Sequence, residues 1–485
     1  MMSGPNSSAP TIVIFGASGD LTKRKLVPAL YNLFRKGRIP PATRVVGFAR
    51  SDLSHDVFRQ QMREGIQQFS GQYDESVWSA FAANLYYLPG NPSTLDDYHK
   101  LDALARELEG GQPAGRLFYL STPPTLYADI VARLGQAAMA DESKAWRRII
   151  IEKPFGHDLL SARELNRCIH AAFAEHQAYR IDHYLGKETV QNVSVFRFAN
   201  AIFEPVWNRN YIDCAQISVL EEVVVGRRAG YYDSAGVLRD IFQNHLLQLL
   251  ALIAMEPPAA LTADLLRNEK VKVLSAVRPI APGTLRDHIV HAQYRSYRDE
   301  PNVAPKSQTP TFAALKLYVD NWRWHGVPFY LRSGKALSER KTHIAVQFKC
   351  PPVSLFALKS DQKLAPNILA MEIQPNEGIH LSFQAKKPDA GIAMQTVNFD
   401  FHYAEAFGDG VIPEAYERLI LDALQGDASL FTRSDEIELS WGLVDPILNG
   451  LSQNTAPPTE FYEEGSTGPT GADRLLAQDG FAWIN

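Results

Sequence analysis

Cysteine is scarce in this chain, with three cysteines among 485 residues. Cys168, Cys214 and Cys350 are far apart, and their spacing matches neither a zinc site nor a disulfide framework. This usage is typical of a reducing compartment, so we expect a cytoplasmic protein. Each cysteine is predicted to be a small buried apolar residue rather than a reactive thiol.

Long apolar runs and excess positive charge are also missing. No apolar run approaches the roughly 18 residues of a transmembrane helix, so no membrane partner is expected. The start, MMSGPNSSAP, lacks the basic and apolar regions of a signal peptide, so residues 1–10 are predicted to be a disordered lead-in. The net charge of -5 disfavours nucleic acid. An anionic substrate would therefore need its own local cluster of basic side chains.

The first part of the chain alternates short apolar runs with helical stretches. A length of 485 residues with 45% hydrophobic and 21% charged residues predicts two large globular domains. Alternating strands and helices indicate a parallel sheet covered by helices, so a Rossmann-type α/β dinucleotide-binding domain is expected at residues 11–181. Its predicted strands are residues 11–15, 44–50, 116–121 and 147–153.

The remaining residues, 182–485, have a different pattern. Runs such as CAQISVLEEV, TFAALKLYV, HIAVQFK and GIHLSFQAK are long, often alternate, and are separated by few helices. They predict an α+β domain with a large, mainly antiparallel sheet. Residues 237–255 are predicted to form a largely buried helix because they are apolar on most sides.

A short glycine loop follows the first predicted strand and reads Gly16-Ala17-Ser18-Gly19-Asp20-Leu21. Small residues let the backbone approach a pyrophosphate, and the start of the next helix attracts the anion. Because the second glycine comes three residues after the first, the loop departs from G-x-G-x-x-G, and a structural turn is the alternative. Arg50, at the end of the second strand, suits a 2′-phosphate and favours NADP. Asp52 keeps NAD as a second choice.

A lysine closes the predicted strand in RRIIIEKPFG. Lys153 and its neighbour Glu152 stand at the carboxyl edge of a parallel sheet, where ligands of such sheets bind. A cation there can hold both cofactor and substrate hydroxyls, although an ordinary charged residue leaving a strand is the alternative. Pro154 fixes the exit of the chain, and its peptide bond could be cis or trans.

The segment RIDHYLGKE places four polar residues within six positions. If residues 182–184 are extended, neighbouring side chains point to opposite sides, so Asp182 can do a different task from His183. His183, Tyr184 and Lys187 offer two potential cations and a hydroxyl to a phosphate dianion. The alternative is a polar domain junction with a salt bridge.

The apolar helix predicted at 237–255 contains the polar stretch DIFQNHLL. Asp240 and Asn244 are four residues apart and share a helix face, with His245 to one side. Oxidising an alcohol needs a base for the hydroxyl proton, and histidine suits this near neutral pH, especially when a carboxylate orients it. The alternative for His245 is a hydrogen-bonded core histidine.

A basic run occurs in FYLRSGKALSERK, within a chain of net negative charge. Arg332, Lys335, Arg340 and Lys341 form the kind of local cluster that an anionic sugar requires. A solvated basic loop is the alternative interpretation.

These motifs together resemble the glucose-6-phosphate dehydrogenase family. The likeness extends from GASGDLTKRKLVPALYNL through EKPFG, RIDHYLGKETVQN, YYDSAGVLRDIFQNHLLQL and VPFYLRSGKAL to YEEGSTGPTGADRLL, and so covers essentially the whole chain. The resemblance implies an oxidoreductase that transfers hydride from C1 of glucose 6-phosphate to NADP and yields 6-phosphoglucono-1,5-lactone, the first oxidative step of the pentose phosphate pathway. It also implies a homodimer or homotetramer that associates through the large sheet, and no required metal.

The resemblance assigns roles to matching residues. It implies His245 as general base with Asp182 as its partner, and a phosphate site of His183, Tyr184 and Lys187. The implied sugar contacts are Lys153, Glu221, Asp240, Lys335 and Arg340. The implied cofactor contacts are Gly16, Ala17, Ser18, Gly19, Asp20, Leu21, Lys23, Arg50, Tyr127 and Lys153.

One segment departs from the family pattern. The family usually has a glycine-rich turn after the residue matching Glu221, whereas this chain has EEVVVGRRAG at 221–230. Two other functions compete with the one that the resemblance implies. A related oxidoreductase acting on an unphosphorylated sugar would not need Lys187 or the basic run. A binding or assembly protein of this fold would be expected to lose His245 or Asp182, and both are present.

Overall fold

The computed structural model describes residues 9–353, 355, 364–390, 393–408, 410, 412–453 and 457–485. Contacts along the backbone group the chain into two compact units. The first unit comprises Met1–Gly186, Ala260–Arg267 and Pro413–Glu438; the second comprises Lys187–Ala259, Asn268–Ile412 and Leu439–Asn485. The predicted boundary between residues 181 and 182 stays a prediction. Most of the predicted disordered lead-in, residues 1–8, lies outside the described residues.

The described residues contain 16 strands. They are β1 Thr11–Phe15, β2 Arg44–Ala49, β3 Leu85–Pro89, β4 Arg116–Leu120, β5 Arg147–Ile151, β6 Ala178–Ile181, β7 Ile212–Leu220, β8 Ile289–Tyr294, β9 Phe312–Tyr318, β10 Pro328–Gly334, β11 Lys341–Phe348, β12 Ile368–Gln374, β13 Gly378–Lys386, β14 Met394–His402, β15 Phe431–Thr432 and β16 Glu460–Tyr462.

The described residues also contain 15 α-helices. They are α1 Val27–Arg35, α2 His55–Phe69, α3 Glu75–Ala82, α4 Leu95–Leu108, α5 Tyr127–Gln136, α6 Leu159–His170, α7 Glu188–Phe198, α8 Ala229–Val237, α9 Leu247–Ala254, α10 Ala263–Ala276, α11 Leu285–His288, α12 Tyr403–Phe407, α13 Ala415–Gln425, α14 Ser434–Ser452 and α15 Thr470–Ala477. Two π-helical segments, Thr22–Leu26 and Leu238–Leu246, lead directly into α1 and α9. None of these described helices is long and apolar enough to cross a membrane.

The sheet of the first unit has the strand order β15-β6-β5-β4-β1-β2-β3. All neighbours are parallel except β15, which pairs antiparallel with β6. Each residue of β1 and β4 is buried, which explains their continuous apolar runs. The Rossmann-type prediction is thus confirmed. The sequence patterns did not predict β3, β6 or β15. Strand β3 ends in proline, and β6 and β15 have only four and two residues.

The sheet of the second unit has nine strands in the order β14-β13-β12-β11-β7-β10-β9-β8-β16. Its pairs are antiparallel except β7 with β10 and β8 with β16. Strand β12 alternates between buried and half-buried residues, as a strand with one covered face should. The predicted large, mainly antiparallel sheet is confirmed.

The predicted helix at 237–255 differs in the structure, because it winds as a π-helix over Leu238–Leu246 before it becomes α9. In the first unit, α6 ends at His170. The chain turns there and brings Glu175 to Arg180, whose Nη1 donates to the carboxylate at 2.7 Å.

A buried arginine caps the carboxyl end of α9. Arg197 is fully buried, and its guanidinium donates to the carbonyls of Leu252, Ile253 and Met255 at 3.0, 2.8 and 2.9 Å. It also pairs with Glu204 at 3.0 Å. Burial lowers the pKa of Arg197 to about 10. These partners offset the cost of burying the charge and satisfy carbonyls that a helix end leaves open.

Replacing Arg197 with methionine is expected to destabilise the protein by about 3 kcal/mol, because the buried carbonyls of Leu252 and Met255 lose their guanidinium donor. The Ile253 carbonyl keeps the Trp207 indole as a donor, and Glu204 keeps its pair with Arg323. Urea unfolding followed by circular dichroism measures this change. Arg278→Ala is the matched control: it removes a surface pair with Asp320 and should cost less than about 1 kcal/mol. Equal losses in the two variants would contradict the capping role.

Candidate active site

The loop after β1 begins with a tight turn at Gly16, a position that only glycine can occupy without a clash. Gly16 has a φ of +76°, and a Cβ atom there would lie 2.1 Å from the carbonyl oxygen of Ser121. The Gly16 amide donates to the Phe48 carbonyl at 2.8 Å, and the Gly19 amide donates to the Gly16 carbonyl at 2.9 Å. The loop thus lies at the carboxyl end of β1, between β2 and β4, where the strand order reverses and dinucleotides bind.

The predicted cofactor residues differ in how exposed they are. Ser18 and Arg50 are exposed, and the Ser51 hydroxyl beside Arg50 donates to that of Ser18 at 3.1 Å. Lys23 pairs with Glu64 at 2.9 Å. Tyr127, by contrast, is buried at the start of α5. The loop and the end of β2 therefore lie together.

At the end of β5, Lys153 is half-buried and the Lys153–Pro154 peptide bond is cis. The Tyr119 hydroxyl donates to Glu152 at 2.5 Å. Burial raises the pKa of Glu152, while hydrogen bonds from Tyr119 and Tyr416 and the charge of Lys153 oppose that rise. Hydrogen bonds from two tyrosines therefore fix the Glu152 carboxyl group next to Lys153. Sequence reasoning gave it no role, although its position before the lysine is the signal that could have indicated one.

Asp182 leads into a turn over residues 183–186, so the condition of extended backbone at 182–184 is not met. The Asp182 carboxylate accepts the Tyr184 amide at 2.9 Å, and the Asp182 carbonyl accepts the Leu185 amide at 3.0 Å. Aspartate favours this conformation because its short side chain reaches the amide two residues on. Asp182 and Tyr184 are buried and His183 is half-buried. The two rings of His183 and Tyr184 have centres 5.1 Å apart.

In the second unit, Lys187 stands just before α7. Its ammonium donates to the Gln374 side-chain oxygen at 2.6 Å, and the Gln374 amide donates to the Thr342 hydroxyl at 3.2 Å. The Thr189 hydroxyl also donates to the carbonyl of Ile373 at 3.1 Å. The end of β12 thus fixes the start of α7. Sequence reasoning missed Gln374, since 187 residues separate it from Lys187.

Glu221, Asp240 and Lys335 lie around one buried tyrosine. Glu221 and Lys335 form an ion pair, and the Lys335 ammonium is 5.8 Å from the ring centre of Tyr232. Burial, followed by the charges of Asp240 and Glu221, raises the pKa of Tyr232 well above its usual range. This side of the second unit therefore has both a cation and carboxylates to offer a polyhydroxylated ligand.

The structure divides the basic run. Arg332 is buried, donates to Ser218 and Asn485 at 2.9 and 2.7 Å, and lies 4.2 Å from the ring centre of Trp483. Its contacts are those of a structural residue. Arg340 is exposed just before β11. Lys335 is the residue of this basic run that forms an ion pair with Glu221.

His245 is fully buried within the π-helix Leu238–Leu246. Because a π-helix pairs residues five apart, Asp240 and His245 stand about one turn from each other. The Asn244 side-chain oxygen accepts the His245 amide at 2.7 Å, and its amide donates to the Arg239 carbonyl at 3.2 Å. Asn244 thereby fixes the backbone that carries the imidazole. Such π segments often occur at functional sites.

A mainly parallel sheet with this strand order and a glycine loop at its reversal point is typical of dinucleotide-binding proteins. Residues 13–192 match the family model "Glucose-6-phosphate dehydrogenase, NAD binding domain", and residues 194–484 match the "Glucose-6-phosphate dehydrogenase, C-terminal domain". The chain belongs to the glucose-6-phosphate dehydrogenase family.

Full-length relatives agree with this membership. The chain is 46% identical to "Glucose-6-phosphate 1-dehydrogenase" of Aggregatibacter actinomycetemcomitans over 97% of this chain and 96% of that protein. It is 44% identical to the Bacillus subtilis protein of the same name over 98% of each. Among solved structures, "Glucose-6-phosphate dehydrogenase in complex with its substrate glucose-6-phosphate" has a TM-score of 0.92, 38% identity and full coverage of both chains. A glucose-6-phosphate 1-dehydrogenase from Mycobacterium avium has a TM-score of 0.85 and 35% identity, covering 98% of this chain and 99% of that one. The chain is thus an oxidoreductase whose cofactor is NADP, as predicted.

Proposed function

We propose that this chain oxidises glucose 6-phosphate at C1 to 6-phosphoglucono-1,5-lactone and transfers the hydride to NADP. The observation that carries the proposal is its family match across residues 13–192 and 194–484. The structure is compatible with the cofactor, because Gly16 leaves the space that a side chain would occupy beside Ser121. We assign the cofactor to Gly16–Leu21, Lys23, Arg50, Tyr127 and Lys153.

We assign the role of general base to His245. NADP supplies the hydride acceptor when bound, and the chain supplies the base that takes the C1 hydroxyl proton. The buried position of His245 and the anchoring of its backbone by Asn244 support this role. Asp182 is proposed as the carboxylate that stabilises the protonated imidazole.

The proposed phosphate contacts are His183, Tyr184 and Lys187. Lys187 suits this role because Gln374 already orients its ammonium. The sugar hydroxyls are assigned to Lys153, Glu221, Asp240, Lys335 and Arg340, where the Glu221–Lys335 pair offers both acceptors and donors.

We further propose a homodimer or homotetramer that associates through the second sheet. Phe399 on β14 is 65% exposed and packs at a tilt of 36° against Phe383 of β13, with ring centres 4.5 Å apart. An apolar pair of this kind fits a subunit contact. Sedimentation equilibrium measures the assembly state. We also propose a cytoplasmic location, since Cys168, Cys214 and Cys350 are all free thiols.

Initial rates of cofactor reduction test the proposed reaction, with glucose 6-phosphate or glucose as substrate and NADP or NAD as acceptor. We expect strong turnover only with glucose 6-phosphate. Turnover with free glucose alone would indicate the related oxidoreductase for unphosphorylated sugars, and turnover with neither would indicate a binding protein. The ratio of rates with NADP and NAD shows whether NAD is an accepted second cofactor.

Arg50→Ala is expected to raise KM for NADP about tenfold and to leave KM for NAD almost unchanged, because only NADP has a 2′-phosphate for the arginine to bind. Steady-state kinetics with both cofactors measure the split. Arg106→Ala, which removes an exposed helix arginine paired with Asp102, should change neither constant. An equal rise in both constants for Arg50→Ala would remove the 2′-phosphate role.

A further inference from the structure

Lys335 begins a tight turn between β10 and β11, and we call residues 335–338 the lysine turn. Its second residue, Ala336, has a φ of +53°. Residues other than glycine seldom adopt this left-handed conformation, which costs about 1 kcal/mol or more. The surrounding structure must therefore hold the turn in place.

The segment after β7 holds one side of the lysine turn. The Leu337 amide donates to the Glu221 carbonyl and the Ala336 amide donates to the Val223 carbonyl, both at 3.0 Å. The Glu221 side chain also pairs with the Lys335 ammonium. Glu221 thus contacts the lysine turn twice, with its carbonyl at Leu337 and with its carboxylate at Lys335.

A segment more than 120 residues later in the chain holds the other side. We call residues 460–466, which begin with β16, the tail clamp. The Gly465 amide donates to the Ala336 carbonyl, and the Ser338 amide donates to the Ser466 carbonyl, both at 2.9 Å. The strained residue is therefore bound from both sides.

Tyr462 of the tail clamp reaches Lys335 directly. Its hydroxyl donates to the Lys335 carbonyl at 2.7 Å and lies 3.0 Å from the Thr311 hydroxyl. The Lys335 amide donates to the Thr311 carbonyl at 3.0 Å. Tyr462 is 3% exposed, and burial raises its pKa, so the hydroxyl keeps its proton. Both main-chain polar groups of Lys335 are consequently fixed by buried partners.

We propose that the tail clamp positions the substrate-binding lysine, with Tyr462 as the positioning residue. Tyr462 acts through Lys335, because its buried hydroxyl already has two protein partners. It holds the backbone of the lysine turn so that the ammonium stays in the direction set by Glu221. This inference rests on the proposed function, in which Lys335 contacts the sugar.

Tyr462→Phe in the full chain tests the proposal. We expect KM for glucose 6-phosphate to rise about tenfold, the usual scale of one lost buried hydrogen bond, while kcat and KM for NADP stay within about twofold. The expected split arises because the clamp orients a group that binds the sugar and leaves the base untouched. Tyr98→Phe is the matched control, since this buried hydroxyl also donates to a backbone carbonyl, that of Pro92 at 2.8 Å. It should leave KM for the sugar unchanged.

Ala336→Gly separates positioning from stability. Glycine adopts a positive φ without strain, so the thermal midpoint should stay or rise, yet the looser turn should raise KM for glucose 6-phosphate severalfold. If neither Tyr462→Phe nor Ala336→Gly raises this KM more than Tyr98→Phe does, the clamp proposal is overturned.

Lys335→Ala, measured in parallel, distinguishes the two levels of inference. A raised KM in Lys335→Ala with unchanged KM in the clamp variants removes the clamp and keeps the sugar contact. An unchanged KM in Lys335→Ala removes the sugar contact itself, and the clamp proposal falls with it.

Discussion

Replacing His245 with asparagine is expected to lower kcat about a thousandfold while glucose 6-phosphate still binds. Asparagine keeps a polar side chain of similar size but cannot accept and hold the C1 hydroxyl proton, and general bases contribute on this scale. Because the imidazole is fully buried, the variant should be compared with the parent by circular dichroism as well. Steady-state rates give kcat, and calorimetric titration with glucose 6-phosphate gives the dissociation constant.

His291→Asn provides the matched control. His291 is also buried in the second unit, and its ring nitrogen pairs with the Pro457 carbonyl at 2.7 Å. Its replacement should cost stability and leave kcat nearly unchanged. If His245→Asn retained a kcat close to that of the parent, the base would have to be another residue, and His245 would be the core histidine that its apolar helix also suggested.

Lys187→Ala is expected to raise KM for glucose 6-phosphate between about ten- and a hundredfold, with a much smaller effect on KM for free glucose. A hydrogen bond from a charged donor to a phosphate dianion contributes about 1.5–3 kcal/mol, which corresponds to this range. Its hydrogen bond to Gln374 already orders the ammonium, so it needs little further ordering to bind. Initial rates measured over a range of glucose 6-phosphate concentrations, and separately over a range of glucose concentrations, give the two KM values.

Lys349→Ala tests whether the effect is local. Lys349 is exposed in the same unit, and its ammonium donates to the Arg209 carbonyl at 2.6 Å. Removing it changes net charge equally and should leave both KM values unchanged. Equal rises for the phosphorylated and the free sugar in Lys187→Ala would remove the phosphate role and leave Lys187 as a structural link to β12.

The elements that the sequence predicted well are those whose pattern reflects local burial. Strands β1 and β5 are almost wholly buried, and a strand covered on both faces needs a continuous apolar run. The long strands of the second sheet were predicted from the same kind of pattern. Strand β15 has two residues and forms only through its pairing with Ile181 and Arg180. Its existence depends on a distant partner that no local pattern records.

The candidate site shows the same division. Local sequence alone indicated all three candidate residues: Lys187 in a dense polar segment, Lys335 in a basic run, and His245 as a polar residue in an apolar helix. The turn at Asp182, the π winding of Leu238–Leu246 and the burial of Arg332 were not predicted. Each depends on hydrogen bonds or packing with its neighbours in space, such as the stacking of Arg332 on Trp483.

The sequence by itself determined the family and the two kinds of sheet, because these follow from motif order and periodicity. Only the tertiary structure decided which of the basic residues are available to a ligand and how they are held. Gln374 reaches Lys187 and Tyr462 reaches Lys335 across more than 120 residues. Contacts of this kind arise when strands pair, and one-dimensional patterns contain no record of them.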